Sequence, residues 1–362
     1  MHLITSIPFF VAVLFAGAAA AANPSSNPPF DPRTYPKSSA QCNAVDRGGP
    51  TPVNTTITLE YVDVNPTGKN TLLLLHGWPS LWSSWSNQIQ EFGKDYRLIV
   101  PDLRGFGSST DTSDVQTSGM MQDIVSDAMC ILDKAGVKTA PCVGHDWGAV
   151  ACWTAGLLEP TRFTAIAALD IPYQPAVGNY TPPEDLVPLL PKFAYQVYFE
   201  KETSTAAQEL DKDIRRTLRA TLRTVASPPP DAFLTSETDF LGAYNGTDIP
   251  PIPFFSQEEE DYFVEQYSIQ RFEHTLQFYT NASRYGTFEY AKNFGNPNIT
   301  VPALSILPTE DPVANWSSLA EYLGSANYIA NLKTVEIAAA HWVQLEKPAE
   351  VNQALREWLT SL

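Results

Sequence analysis

The chain has 362 residues, of which 44% are apolar and 17% charged, enough to fill a sizeable core as one large α/β domain with an insertion or as two average domains. Its 23 basic and 40 acidic side chains leave a formal charge of −17, which argues against a nucleic-acid partner because phosphate binding needs basic patches. A small neutral substrate suits such a surface better.

Residues 1–22 are read as a signal peptide. Positions 7–22 are almost wholly apolar and then alanine-rich, with A-x-A cleavage choices ending at Ala20, Ala21 or Ala22. The run is too short and proline-interrupted for a spanning helix, and no stable membrane partner is expected. The leader holds His2 but no Lys or Arg, so an uncleaved anchor is the alternative to secretion. Six N-x-S/T sequons, at Asn54, Asn179, Asn245, Asn281, Asn298 and Asn315, fit a glycosylated protein of the secretory route. Residues 23–52 carry repeated prolines and are read as an extended arm over the domain or as partly disordered.

Residues 53–171 alternate between strand and helix signals, with strands expected at 57–64, 72–75, 97–100, up to 143, and at 165–170. This alternation predicts an α/β fold with a mostly parallel central sheet flanked by helices. Residues 172–298 change to prolines, aromatics and helical periodicity, as expected of a helical lid inserted between core strands. Within it, Leu210, Ile214, Leu218 and Leu222 recur every four residues, and Ser256 with Glu259 has capping-box spacing. Residues 299–362 resume the core with strands at 303–307 and 334–340, and Pro348 opens an amphipathic helix through Val351, Leu355 and Trp358. Four cysteines, Cys42, Cys130, Cys142 and Cys152, permit disulfides and lack zinc-site spacing. Cys142 and Cys152 are read as buried small hydrophobes, and the pairing of Cys42 stays open.

The chemistry centres on Gly144-His145-Asp146-Trp147-Gly148, which has the spacing of a nucleophile elbow with aspartate where serine usually stands. Two glycines around an aspartate are by themselves an ordinary turn, so the partners decide. An elbow nucleophile needs an acid and a histidine later in the chain. Of five histidines, His2 lies in the leader, His145 is splayed away from Asp146 by the turn, His76 precedes a Gly-Trp-Pro loop and braces backbone, and His274 is a surface or packing residue. His341 remains, on a loop after an apolar strand. Asp311 and the adjacent Glu310 both follow the strand at 303–307, and the residues alone do not separate them. The loop Arg104-Gly105-Phe106-Gly107-Ser108 lacks the lysine of a phosphate cradle, so Asp102 and Arg104 are read as bracing it. Trp78, Trp82 and Trp85 are read as core, with Trp78 also lining a pocket.

The set His76-Gly77-Trp78-Pro79, Asp102-Leu103-Arg104-Gly105-Phe106-Gly107, Gly144-His145-Asp146-Trp147-Gly148, Glu310-Asp311 and His341-Trp342 resembles the epoxide hydrolases of the α/β-hydrolase superfamily, in register from about Tyr61 to the C-terminus. The resemblance implies an α/β-hydrolase fold, an epoxide and water as substrates, no metal or organic cofactor, and Asp311 as the acid. It also implies an oxyanion hole from the backbone N–H groups of Trp78 and Trp147, and places two lid proton donors at Tyr195 and Tyr279, with Tyr198 a near neighbour of the first. Ala340 departs from the glycine that often precedes the histidine. The rival readings are a haloalkane or haloacid dehalogenase using the same aspartate, and a catalytically silent ligand-binding protein on this fold. A serine esterase is disfavoured because no G-x-S-x-G occurs.

Overall fold

A computed structural model describes residues 29–362; the expected signal peptide at residues 1–22 lies outside them. Eight strands form one sheet: β1 (Lys37–Asp46), β2 (Val53–Val64), β3 (Thr71–Leu75), β4 (Arg97–Pro101), β5 (Cys142–His145), β6 (Ile166–Leu169), β7 (Ala303–Pro308) and β8 (Leu332–Ile337). Their spatial order is β1-β2-β4-β3-β5-β6-β7-β8. From β4 to β8 all neighbours run parallel, whereas β1 and β2 pair antiparallel and β2 runs antiparallel to β4. Parallel strands covered on both faces need unbroken apolar runs, and the buried stretches Leu72 to Leu75, Cys142 to His145 and Ile166 to Leu169 meet that need. Each buried leucine of β3 contributes about 1.5–3 kcal/mol relative to exposure.

Several elements differ from the sequence reading. The segment expected as an arm contains β1, whose alternating burial lays Ala40, Cys42 and Ala44 on the core. Its prolines flank the strand and none lies within it. The last strand ends at Ile337, so His341 sits on a loop four residues further on. The leucine series from 210 to 222 is not one helix: helix Thr203–Asp211 stops, Asp213 accepts a hydrogen bond from the Arg216 N–H as an N-cap, and helix Ile214–Thr221 begins. An acceptor so close to the chain favours a fresh helix start over continuation.

The cysteine reading is also corrected. Cys142 and Cys152 are buried but bonded to each other, because helix Trp147–Leu158 folds back on the strand it leaves and brings their Cα atoms to 5.5 Å. Cys42 pairs with Cys130, tying β1 to helix Met121–Lys134.

Between β6 and β7 the described chain is helical, including Ala194–Lys201, Thr203–Asp211, Ile214–Thr221, Gln257–Gln270, Glu273–Tyr279 and Asn281–Phe294. The expected capping box of Ser256 and Glu259 is formed. This insertion is keyed to the core by buried bonds from Trp82 Nε1 to Tyr262 Oη (2.8 Å), Tyr267 Oη to the Ser80 carbonyl (3.1 Å) and Gln277 Nε2 to the Arg104 carbonyl (2.6 Å).

Candidate active site

Asp146 follows β5 and precedes helix Trp147–Leu158, at φ 54° and ψ −122°. Such a backbone is costly for a non-glycine residue and holds the side chain out of the turn. The turn closes only because its neighbours are glycines. A Cβ on Gly148 would overlap the Leu75 carbonyl, and one on Gly77 would overlap the Asp146 carboxylate itself. The bare Gly77 lets the next residue approach, so Asp146 Oδ1 accepts the Trp78 backbone N–H at 2.8 Å, and the Trp147 N–H also bonds the carboxylate. Burial pushes the Asp146 carboxyl above its ordinary range, against the pull of His341 and of the two N–H groups.

His341 Nε2 stands 3.7 Å from Asp146 Oδ2, too far for a hydrogen bond. Its Nδ1–H donates to Asp311 Oδ2 at 2.9 Å. Asp311 is held in turn by the Val313 N–H on Oδ1 (2.7 Å) and by Trp316 Nε1 on Oδ2 (2.6 Å). Glu310, its neighbour, points into solvent, which separates the two acids that the residues alone did not. Sequence reasoning missed a second acid: Asp170 Oδ2, fully buried, is also 2.9 Å from His341 Nδ1. Its signal was its place immediately after the apolar run of β6, at the carboxyl end of a parallel strand. Burial pulls His341 down, but the negative charge shared by the Asp170 and Asp311 carboxyls outweighs it and holds the imidazole well above the usual histidine range.

The other described histidines make structural contacts. His76 accepts the Leu103 N–H on Nε2 (3.0 Å) and donates Nδ1–H to the Gly77 carbonyl (2.9 Å), and burial lowers it to about 4. His145 donates Nε2–H to the His341 carbonyl at 2.9 Å, fixing the loop that carries His341. His274 pairs with Asp111 at 2.6 Å. Arg104 is locked in a buried two-point bond to Asp127 (2.6 and 2.7 Å), and Asp102 accepts the Trp82 N–H and Lys37 Nζ. Both therefore brace the loop.

Asp146, His341 and Trp78 line a cleft whose walls also include Tyr195 and Tyr279 from the lid. Their rings meet edge to face at 5.8 Å, and the Tyr279 ring packs on both Trp78 and Trp147. Burial raises Tyr195 to about 12 and Tyr279 well above its ordinary value, so both are neutral O–H donors. Sequence reasoning also missed the support of Tyr195: Gln196 Nε2 donates to its hydroxyl at 3.2 Å, while Arg284 Nη2 holds Gln196 Oε1 at 2.8 Å. Tyr198 lies outside the cleft lining.

For a metal, the one suitable grouping of His, Cys, Asp and Glu among the described residues is His145, Asp170 and His341. It reuses the imidazole and the carboxyl that already face each other beside Asp311, an arrangement that can serve as a proton relay. All six sequon asparagines are exposed.

Residues 70–348 match the family described as alpha/beta hydrolase fold, and the chain belongs to that family. Within it, the chain is 32% identical over 324 residues to Epoxide hydrolase A of Mycobacterium tuberculosis, covering 84% of this chain and 95% of that one. It is 31% identical over 294 residues to Bifunctional epoxide hydrolase 2 of Sus scrofa, covering 79% of this chain and 50% of the relative, so it spans about half the length of that protein. The crystal structure of Epoxide Hydrolase A from Mycobacterium thermoresistibile is similar with a TM-score of 0.72 at 27% identity, covering 89% of this chain and 98% of the other.

Proposed function

We propose that this chain is an epoxide hydrolase, converting an epoxide and water to a vicinal diol through an ester on Asp146. The observation that carries the reading is one cleft lined by a buried carboxylate, two neutral lid tyrosines and a histidine 3.7 Å from the carboxylate. Asp146 Oδ1 is engaged by the Trp78 N–H, so Oδ2 is the attacking atom. It bonds to an epoxide carbon while the C–O bond of the ring breaks, and the departing oxygen takes a proton from Tyr195 or Tyr279. His341, aligned by Asp311, then removes a proton from water, the hydroxide oxygen adds to Asp146 Cγ, and the negative charge on Oδ1 is held by the Trp78 and Trp147 N–H groups. Collapse of this intermediate breaks the ester C–O bond, the leaving diol oxygen takes the proton held by His341, and the proton of the new Asp146 carboxyl returns to the tyrosinate, which restores all three groups. A dehalogenase would need N–H donors for a halide in the cleft, but the Trp78 indole N–H is committed to Thr275 at 3.0 Å.

The test is a single turnover in heavy-oxygen water. The first diol is expected to carry unlabelled oxygen from Asp146 while label enters the carboxylate; label in that first diol would sink the ester intermediate.

The export reading belongs with this proposal. The leader, the six exposed sequons and the two disulfides together support a secreted glycoprotein made in an oxidising compartment. Enzymatic glycan removal from protein expressed in a eukaryotic host is expected to lower its mass, and an unchanged mass counts against glycosylation.

A further inference from the structure

Two carboxyls and one imidazole N–H meet in a fully buried place. Asp311 Oδ2 and Asp170 Oδ2 both lie 2.9 Å from His341 Nδ1, and both side chains are wholly buried. They arrive from different strands, Asp170 from the end of β6 at φ 80° and Asp311 from the loop after β7. Their surroundings differ sharply. Asp311 receives the Val313 N–H, the Trp316 indole N–H and the His341 N–H. Neither oxygen of Asp170 accepts a hydrogen bond. Neighbouring buried carboxyls cannot both carry charge cheaply, and the one with donors around it keeps the charge.

We propose that Asp170 is a second positioning acid of the relay, a neutral carboxylic acid that donates its proton to Asp311 and can itself orient His341 when Asp311 is lost. Burial, with the Asp311 carboxyl beside it, pushes Asp170 well above the carboxylate range against the pull of His341; for Asp311, burial is outweighed by His341, Asp170 and Trp316, which hold it low. The other titratable groups facing the relay are His145, packed on the His341 ring at 4.9 Å and kept neutral by burial, and Asp146 in the elbow. In the resting relay the Asp170 O–H points to Asp311, whose charge aligns the imidazole. With a neutral amide at 311, Asp170 loses the charged neighbour that kept it protonated, ionises, and takes the Nδ1–H.

The inference rests on His341 being the base for ester hydrolysis, and the test follows that step alone, as decay of the Asp146 adduct in intact-protein mass spectra. If no adduct ever forms in any variant, the ester reading fails; the comparisons among variants judge Asp170. Asp170→Asn keeps a neutral donor and is expected to slow adduct decay about threefold without moving the acidic limb of its pH profile. Asp311→Asn is expected to slow decay on the order of tenfold, and the double variant about 10³-fold or more, since no carboxylate then orients the base. A protonated-carboxyl C=O stretch is expected in the infrared spectrum of the full chain at neutral pH and is lost in Asp170→Asn, a readout independent of turnover. Asp311→Asn decaying as slowly as the double variant would overturn the reserve role. An acidic limb shifted to lower pH in Asp170→Asn, or an unchanged infrared band, would overturn the neutral acid.

Discussion

His341 and Asp146 are close but unbonded at 3.7 Å, and this spacing separates two chemical roles at the scale of single residues. In the proposed mechanism the nucleophile attacks without giving or taking a proton, and the base acts only in the second step. His341→Gln is therefore expected to leave alkylation intact and to trap the ester, seen as a substrate-sized mass increase on the protein; normal turnover with no such increase would remove His341 from the role of base. The two lid hydroxyls act in the first step. Tyr195→Phe and Tyr279→Phe each delete one donor that is typically worth roughly 2.7–4 kcal/mol, partly covered by the other when both share one oxygen. Each single variant is expected to slow alkylation, and the double variant to be nearly inactive on epoxides with no adduct built up. Stopped-flow alkylation at the wild-type rate in a folded double variant would move the donor role elsewhere.

Among the elements, the lid and the core meet through polar contacts whose strength depends on pH. His274, on the lid segment Glu273–Tyr279, pairs with Asp111 of the core at 2.6 Å. The hydrogen bond with Asp111 raises the imidazole above its ordinary value, outweighing burial. A folded-state pKa above the unfolded one means that the pair stabilises fully below the unfolded value, until Asp111 itself protonates, and that this stability is lost as pH rises through the folded value. His274→Gln is expected to lower stability by about 1 kcal/mol or less at mildly acidic pH and to leave it unchanged at alkaline pH. Chemical denaturation at several pH values checks this; a loss independent of pH would mean that the ring packs rather than pairs.

The whole molecule is closed by β1. This edge strand carries Cys42, whose bond to Cys130 links positions 88 residues apart, and Lys37, which reaches Asp102 beneath the lid at 2.6 Å. A crosslink over so long a loop restricts the unfolded chain strongly. Replacing both Cys42 and Cys130 by serine is expected to cost about 2–5 kcal/mol and to lower the melting temperature without changing the active-site geometry. Calorimetry of the double variant decides it, and an unchanged melting temperature would show that β1 is held by its backbone ladder alone.

The sequence by itself determined the parts whose signals are local. Apolar runs set the parallel strands, glycines around Asp146 and at Gly77 set the elbow, and Ser256 with Glu259 set a helix start. Each depends on neighbours a few residues away or on unbroken burial. It also determined the order of nucleophile, acid and histidine along the chain. The residues by themselves left Glu310 and Asp311 open and only the resemblance favoured Asp311; the tertiary structure gives the physical reason, because the two are adjacent and differ in which one turns inward to His341. The same holds for β1, which reads as a proline-rich arm until β2 offers it a ladder, and for the cysteine pairs, whose partners meet only when helices fold back onto strands. Asp170 is the sharpest case. It is one carboxyl at a strand end, 171 positions before the histidine it faces, and its place after an apolar run does not say which imidazole it meets; the sheet places β6 beside β7, and that adjacency puts two acids on one imidazole nitrogen.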